Sequence, residues 1–212
     1  TKLLSQYIID FINKFAIRKI DFVSSHGHTA LHQPLNSLTY QIGNLPILAK
    51  YINQKVVCDF RVQDLELGGQ GAPLVPVGEK YLFPEFDTLI NLGGFANITK
   101  KIKNNLIAYD ICPINIIFNH LSRIIKLEYD DKGDIASSGN INKDLYNYLQ
   151  RLDYYKLDPP KSLGIEWVNN YVYSILKNFN NILIKDLMNT FSNHFAFQIA
   201  KNIGEQDQVL IT

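Results

Sequence analysis

Cysteine is nearly absent: the 212 residues hold two, Cys58 and Cys112, each in an apolar, strand-like stretch. That excludes a disulfide framework and a zinc-ribbon pattern, and favours a reducing compartment. Excess charge is missing as well. The formal net charge is +1, so no electrostatic argument favours nucleic acid or an anionic membrane. No apolar run approaches the roughly 18 residues that a membrane-spanning helix needs. The first residues lack the charged-then-apolar pattern of a secretion signal. With 46% hydrophobic and 19% charged residues, the composition is that of an ordinary globular protein able to bury a sizeable core. The expectation is a cytoplasmic protein. A helical pattern that starts almost at Thr1, and a strand pattern that stops at Thr212, suggest a sequence cut at both ends.

Periodicity supplies the elements. Leu4, Ile8, Phe11 and Phe15 recur at helical spacing and predict a helix over 2–16. Short strands are predicted over 20–24, 38–42 and 56–60, with a helix over 46–53 opened by proline. Residues 88–92 and 95–100 flank Gly93-Gly94 as a hairpin with a two-residue turn. A strand over 106–110 leads through Pro113 to a helix marked by Ile114, Ile117, Phe118, Leu121 and Ile125. A polar loop over 128–142, a helix over 143–152, another from about Gly164, a long helix through Leu187, Phe191, Phe195 and Ile199, and a strand over 208–212 complete the order. Alternating strands and helices with hairpins argue for α/β with a mixed sheet.

The polar clusters follow predicted strands, where ligands bind in open α/β sheets. The stretch from Asp59 to Pro76 gathers carboxylates, Arg61 and the glycines Gly68, Gly69 and Gly71 around Gln70. It is either a surface loop or a ligand loop, in which glycine lets a ligand approach the backbone and Arg61 offers a rigid fork of donors. Asp110 closes its strand with Asn115 about one helical turn into the next element. It could deprotonate a water or hydroxyl, or merely cap the helix. The Gly93-Gly94 turn, with Asn97 and Thr99 beyond it, is either a plain type I′ or II′ hairpin or a cradle of backbone N–H groups for phosphate. His26, His28 and His32 lack a nearby cysteine or carboxylate to complete a metal site. They read as loop histidines that hydrogen-bond a ligand or the backbone. His120 and His194 read as structural. Lys161 and Ser162 either contact a ligand or simply follow a Pro-Pro helix start.

Taken together, these stretches resemble the anhydro-N-acetylmuramic acid kinase family. The resemblance rests on Ser25-His26-Gly27-His28-Thr29, Gln41-Ile42-Gly43, Asp59-Phe60-Arg61, the run from Gly68 to Pro76, Asn91-Leu92-Gly93-Gly94-Phe95-Ala96-Asn97-Ile98, Asp110, Pro113, Asn115, and Pro160-Lys161-Ser162 with Gly164. It implies a two-lobed, actin-like ATPase fold of the ribonuclease H-like type, incomplete in this chain. Residues 1–100 would be the remainder of an N-terminal lobe and residues 101–212 a truncated C-terminal lobe. It implies ATP and Mg²⁺ as cofactors and 1,6-anhydro-N-acetylmuramic acid as substrate, opened hydrolytically and phosphorylated on O6 during murein recycling. Asp110 would activate the water. His26, Arg61, Gly68, Gly69, Gln70 and Asn115 would line the sugar; Gly93, Gly94 and Asn97 would hold phosphate; no protein metal ligand is implied. The resemblance allows a homodimer, and implies neither nucleic acid nor membrane as partner. Ile111-Cys112-Pro113-Ile114-Asn115 departs from the family's usual Thr-Gly-Pro-Gly-Asn, and Ile165 stands where arginine is common. The family's N-terminal phosphate segment and its adenosine segment are absent. A non-catalytic sugar-binding fragment or pseudokinase of the same family is the alternative. An unrelated α/β hydrolase using Asp110 and the histidines is a third reading, although the nucleophile-elbow motif of such hydrolases is absent.

Overall fold

Burial alternates along 95–98, and apolar side chains recur every fourth residue through 187–195. Those two periods build most of the second half of the molecule. The computed structural model describes residues 1–33, 36–69, 71, 73–103, 105–159 and 161–212. Gln70, Ala72 and Pro160 of the motifs above therefore lie outside the described residues. The chain divides into two compact units, Thr1–Val77 and Gly78–Thr212. A division at residue 100, as the sequence suggests, would fall inside a single strand.

In the first unit, α1 (Lys2–Lys14) is followed by β1 (Val23–Ser24), β2 (His28–Gln33), β3 (Leu38–Ile42), α2 (Ile47–Ile52), β4 (Val56–Val57) and α3 (Phe60–Glu66), and α4 (Val75–Leu82) begins near its end. β1 pairs in parallel with β4, and β2 antiparallel with β3. The apolar stripe of α1 differs from the expected one. Leu4, Ile8 and Ile12 are half-buried, whereas Phe11 and Phe15 are more than half exposed along with Leu3 and Tyr7. The strand predicted over 56–60 stops at Val57, and Phe60 opens α3 instead. Asp59, in the left-handed region at φ 62°, makes that turn, a conformation its short polar side chain tolerates.

The second unit is built on a four-stranded mixed sheet in the order β7-β6-β5-β8, comprising β5 (Thr88–Leu92), β6 (Phe95–Ile102), β7 (Asn105–Pro113) and β8 (Val209–Ile211). β8 runs parallel to β5 and the other pairs are antiparallel, as the mixed pattern predicts. Helices α5 (Asn115–Ile124), α6 (Asp134–Ser137) and α7 (Lys143–Gln150) come next. Then α8 (Ile165–Trp167) runs through a π-helical stretch (Val168–Tyr173) into α9 (Ser174–Leu176), and α10 (Ile184–Lys201) follows. The segment expected to be a loop over 128–142 thus carries α6, whose first amides are held by Asp130. α7 starts where the Asn142 side chain accepts from the Leu145 N–H at 2.9 Å, an N-cap worth about 1 kcal/mol. Ile117, Leu121, Leu145, Met188, Phe191 and Phe195 are nearly inaccessible and pack with Ile90 and Ile98 of the sheet. α10 also bonds to the sheet: Tyr109 Oη and Lys100 Nζ both donate to Asn202, just past its C-terminus. His194 is buried within α10, and His120 lies in α5 stacked on Tyr173 at 4.1 Å.

Candidate active site

Cross-strand register decides which polar side chains share a face, because directly paired residues point the same way. Asp110 on β7 pairs with Asn97 on β6, and Asn97 pairs with Asn91 on β5. Asn91 Nδ2 reaches Thr212 Oγ1, at the end of β8, at 3.3 Å. A polar row therefore crosses the whole sheet. By strand alternation it lies on the face opposite Ile90, Ile98 and Tyr109, the face that α10 covers.

Asp110 does not end its strand, because β7 continues to Pro113. The pairs Ala96↔Cys112 and Asn97↔Asp110 leave Ile111 without an opposite residue. This is a β-bulge, a device that re-aims the neighbouring side chain. The Asp110 carboxylate is half-buried, and its Oδ2 accepts from the Leu163 N–H at 2.8 Å. Burial raises its pKa above the usual carboxylate value, and the Leu163 bond partly offsets the rise. Among the described residues Oδ1 has no hydrogen-bond partner. A half-buried carboxylate with one free oxygen and a raised pKa is suited to accept a proton.

The glycine hairpin joins the two middle strands of this row, β5 and β6. The pair Leu92↔Ala96 leaves Gly93, Gly94 and Phe95 in the turn, three residues rather than two. Neither glycine has the left-handed φ that a type I′ turn, or the first position of type II′, requires. The carbonyls of Gly93 and Gly94 point to α5, accepting from the N–H groups of Ile114, Asn115 and Ile116 at 2.8–3.4 Å. Asn115 is the first residue of α5, not one turn inside it, and its side chain donates to Leu92 O and Gly93 O at 3.1 and 2.8 Å. Its role in this structure is to brace the hairpin. The N–H groups of Gly93 and Gly94 have no acceptor among the described residues, and nothing lies within 4 Å of a Cβ built on Gly94. Two amides without an acceptor, that of Gly94 beside open space, suit an anion.

A separate cluster forms within the first unit. Arg61 lies on α3, where its Nε donates to His26 Nε2 at 2.8 Å and its Nη1 to Gly71 O at 2.8 Å. With Nε2 accepting, the ring proton of His26 is on Nδ1, which donates to Gly27 O at 3.0 Å. Asn44 Nδ2 donates to His26 O, and Ser25 Oγ donates to Asn44 Oδ1, both at 2.9 Å. One turn along α3, Asp64 Oδ2 accepts from the Gly71 N–H at 2.7 Å. Arg61 and Asp64 thus grip both polar groups of Gly71. Among the described residues, three of the five Arg61 N–H donors have no acceptor. Gly68, at φ +88°, closes α3 in a Schellman motif, with Gly68 N–H bonded to Leu65 O and Gly69 N–H to Asp64 O. His28 and His32 are on β2, and His32 Nδ1 bonds Thr39 Oγ1 at 3.2 Å. Among the described residues no group of three or more His, Cys, Asp or Glu is placed to hold a metal ion.

Sequence reasoning missed Asn44, Asp64, Tyr154 and the Leu163 amide. Only Asp64 left a signal, because it falls at i+3 from Arg61 once 60–66 is read as a helix.

With this geometry in place, comparison with known proteins is decisive. The family model described as anhydro-N-acetylmuramic acid kinase matches residues 1–211. The chain belongs to the anhydro-N-acetylmuramic acid kinase family. It is 34% identical over 205 residues to the anhydro-N-acetylmuramic acid kinase of Bacillus cereus (strain ATCC 10987 / NRS 248), covering 90% of this chain and 54% of the relative. It is 34% identical over 199 residues to that of Bacillus thuringiensis (strain Al Hakam), covering 87% and 52%. The chain therefore spans about half the length of the curated relatives it matches. The α/β architecture with a mixed sheet agrees with the sequence reading. No helix of the described residues is long and apolar enough to cross a membrane.

Proposed function

We propose that this chain carries the hydrolytic and phosphate-binding machinery of an ATP-dependent kinase that opens 1,6-anhydro-N-acetylmuramic acid and phosphorylates O6. A two-lobed actin-like fold goes with that reading. The observation that carries it is that the row Asp110–Asn97–Asn91 lies at the same end of the sheet as the Gly93 and Gly94 amides, which have no acceptor among the described residues. A candidate base and a candidate anion site share one end of one sheet.

In this reading Asp110 Oδ1 accepts a proton from the water that attacks C1. The C1–O6 bond breaks, O6 takes the γ-phosphoryl group of ATP, and ADP leaves. The Gly93 and Gly94 amides, with Asn97, hold phosphate oxygens, which concentrates positive dipole where charge develops. Arg61, held by His26 and Gly71, would offer its remaining donors to hydroxyl or carboxylate groups of the sugar, and by the family resemblance Gly68, Gly69 and Gln70 would also contribute to sugar binding. A magnesium ion would neutralise phosphate charge. It characteristically binds through phosphate oxygens, waters and one or two carboxylates rather than a protein cage, so the lack of a clustered metal site among the described residues is compatible with it.

The isotopic fate of water tests the reaction. Turnover in ¹⁸O-water is expected to place the label on C1 of the sugar 6-phosphate and none in the phosphate. Label in the phosphate would mean hydrolysis of ATP by water, and would overturn the reading.

A further inference from the structure

Among the described residues, Asp110 is held at each of its polar groups except one, and the holding is done by Tyr154, Lys161 and Leu163. Tyr154 Oη donates to the Asp110 carbonyl at 2.6 Å, the Asp110 N–H donates to Lys161 O at 3.2 Å, and Leu163 N–H donates to Oδ2 at 2.8 Å. β7 is a sheet edge, and at Asp110 that edge is interrupted by the bulge. Without a partner there, the backbone of Asp110 would be free to rotate.

Tyr154 and Lys161 are themselves anchored. Tyr154 is buried, edge-on to Tyr155 at 5.8 Å and tilted against Trp167 at 5.5 Å. Lys161 closes the loop on itself. Its Nζ donates to Leu157 O at 2.9 Å and Tyr154 O at 3.4 Å, and lies 5.0 Å from the Tyr154 ring centre and 5.8 Å from that of Tyr109. The ammonium is thus turned to carbonyls and aromatic faces of its own unit.

We propose that Tyr154, Lys161 and Leu163 are positioning residues that aim the free Oδ1 of Asp110 at the attacking water. The proposal rests on the reading of Asp110 as general base. Oδ2 accepts from the Leu163 amide, which leaves Oδ1 as the oxygen without a partner among the described residues, and three hydrogen bonds from outside the sheet set its direction. A reacting group held this way loses rate when its support loosens by about 1 Å. Titratable groups in the neighbourhood are Tyr109 and Cys112 on β7, Tyr154, and Lys161 with Asp158 and Lys201 near it.

The test compares Leu163→Ala, which keeps the N–H, with Leu163→Pro, which deletes it without changing charge. The readouts are kcat, KM for the sugar, and ¹³C NMR titration of the Asp110 carboxyl in the unliganded chain. Leu163→Ala is expected to behave as the parent. Leu163→Pro is expected to titrate at higher pH and to lose about tenfold in kcat, with KM for the sugar within about twofold, the KM-against-kcat split of a transition-state effect. Should Leu163→Pro fail to fold, Tyr154→Phe serves instead, with the same fall in kcat at unchanged KM. Equal titration and equal kcat in the Ala and Pro variants would overturn the positioning role, as would a Tyr154→Phe variant with parental kcat. Turnover that survives Asp110→Asn would instead overturn the general-base reading, and the two failures are distinguishable because the NMR titration does not depend on turnover.

Discussion

At the scale of single residues, most polar side chains near the sheet and in the Arg61 cluster have partners, and His194 does not. It is 1% exposed, and among the described residues neither ring nitrogen has a hydrogen-bond partner. Its surroundings are aromatic, with Tyr155 at 4.9 Å and Phe195 at 5.8 Å. Burial pushes its pKa down to about 3, against an ordinary value of 6.5. Because the folded value is the lower one, the unfolded chain binds the proton first. Stability is complete above pH 6.5 and is lost progressively as the pH falls toward 3. At pH 5 the loss from this residue is about 2 kcal/mol. Urea unfolding of the parent at pH 7 and pH 5 is expected to show that drop, and His194→Leu to abolish most of it at little cost at pH 7. The substitution removes unpaired polar atoms and leaves an apolar side chain among aromatics. An unchanged difference between the two pH values in His194→Leu would place the acid sensitivity elsewhere.

Whole elements were legible where the period was long and failed where it was short. The eighteen residues of α10 and the eight of β6 repeat their patterns often enough to be read. α3 has seven residues, fewer than two full turns beyond its ends, and the charge and glycine around it read as loop. That misplacement hid the joint hold of Arg61 and Asp64 on Gly71. The bulge at Ile111 was invisible for a different reason: it is a relation between two strands, and no local spacing encodes it. The hairpin was visible but its register was not, so the turn holds three residues where two were expected. Close packing between elements makes its own prediction. A Cβ on Gly139, which follows α6, would lie 2.1 Å from the Lys185 carbonyl oxygen in the first turn of α10. Backbone cannot yield as a side chain can. Gly139→Ala is expected to cost about 1–3 kcal/mol, seen as a lowered melting temperature. A parental melting temperature would mean that α6 and α10 are not fixed to one another.

For the molecule as a whole, family membership and the α/β class were both legible, because they rest on long ordered motifs and on repeated patterns. The roles of individual motif residues were less so. Gly68 ends a helix, Asn115 braces a hairpin, and His26 holds Arg61 by a ring nitrogen. A sequence shows that such residues belong together but not which of them bond to each other and which are left free for a ligand. The groups without a partner among the described residues carry the functional reading: Oδ1 of Asp110, the Gly93 and Gly94 amides, and three donors of Arg61. The most direct measurement is ATP- and magnesium-dependent formation of the 6-phosphate from 1,6-anhydro-N-acetylmuramic acid, comparing the parent with Asp110→Asn. The account predicts product from the parent and a loss of at least about 10²-fold in the variant, the usual contribution of a positioned base. Equal rates from the two proteins would contradict it.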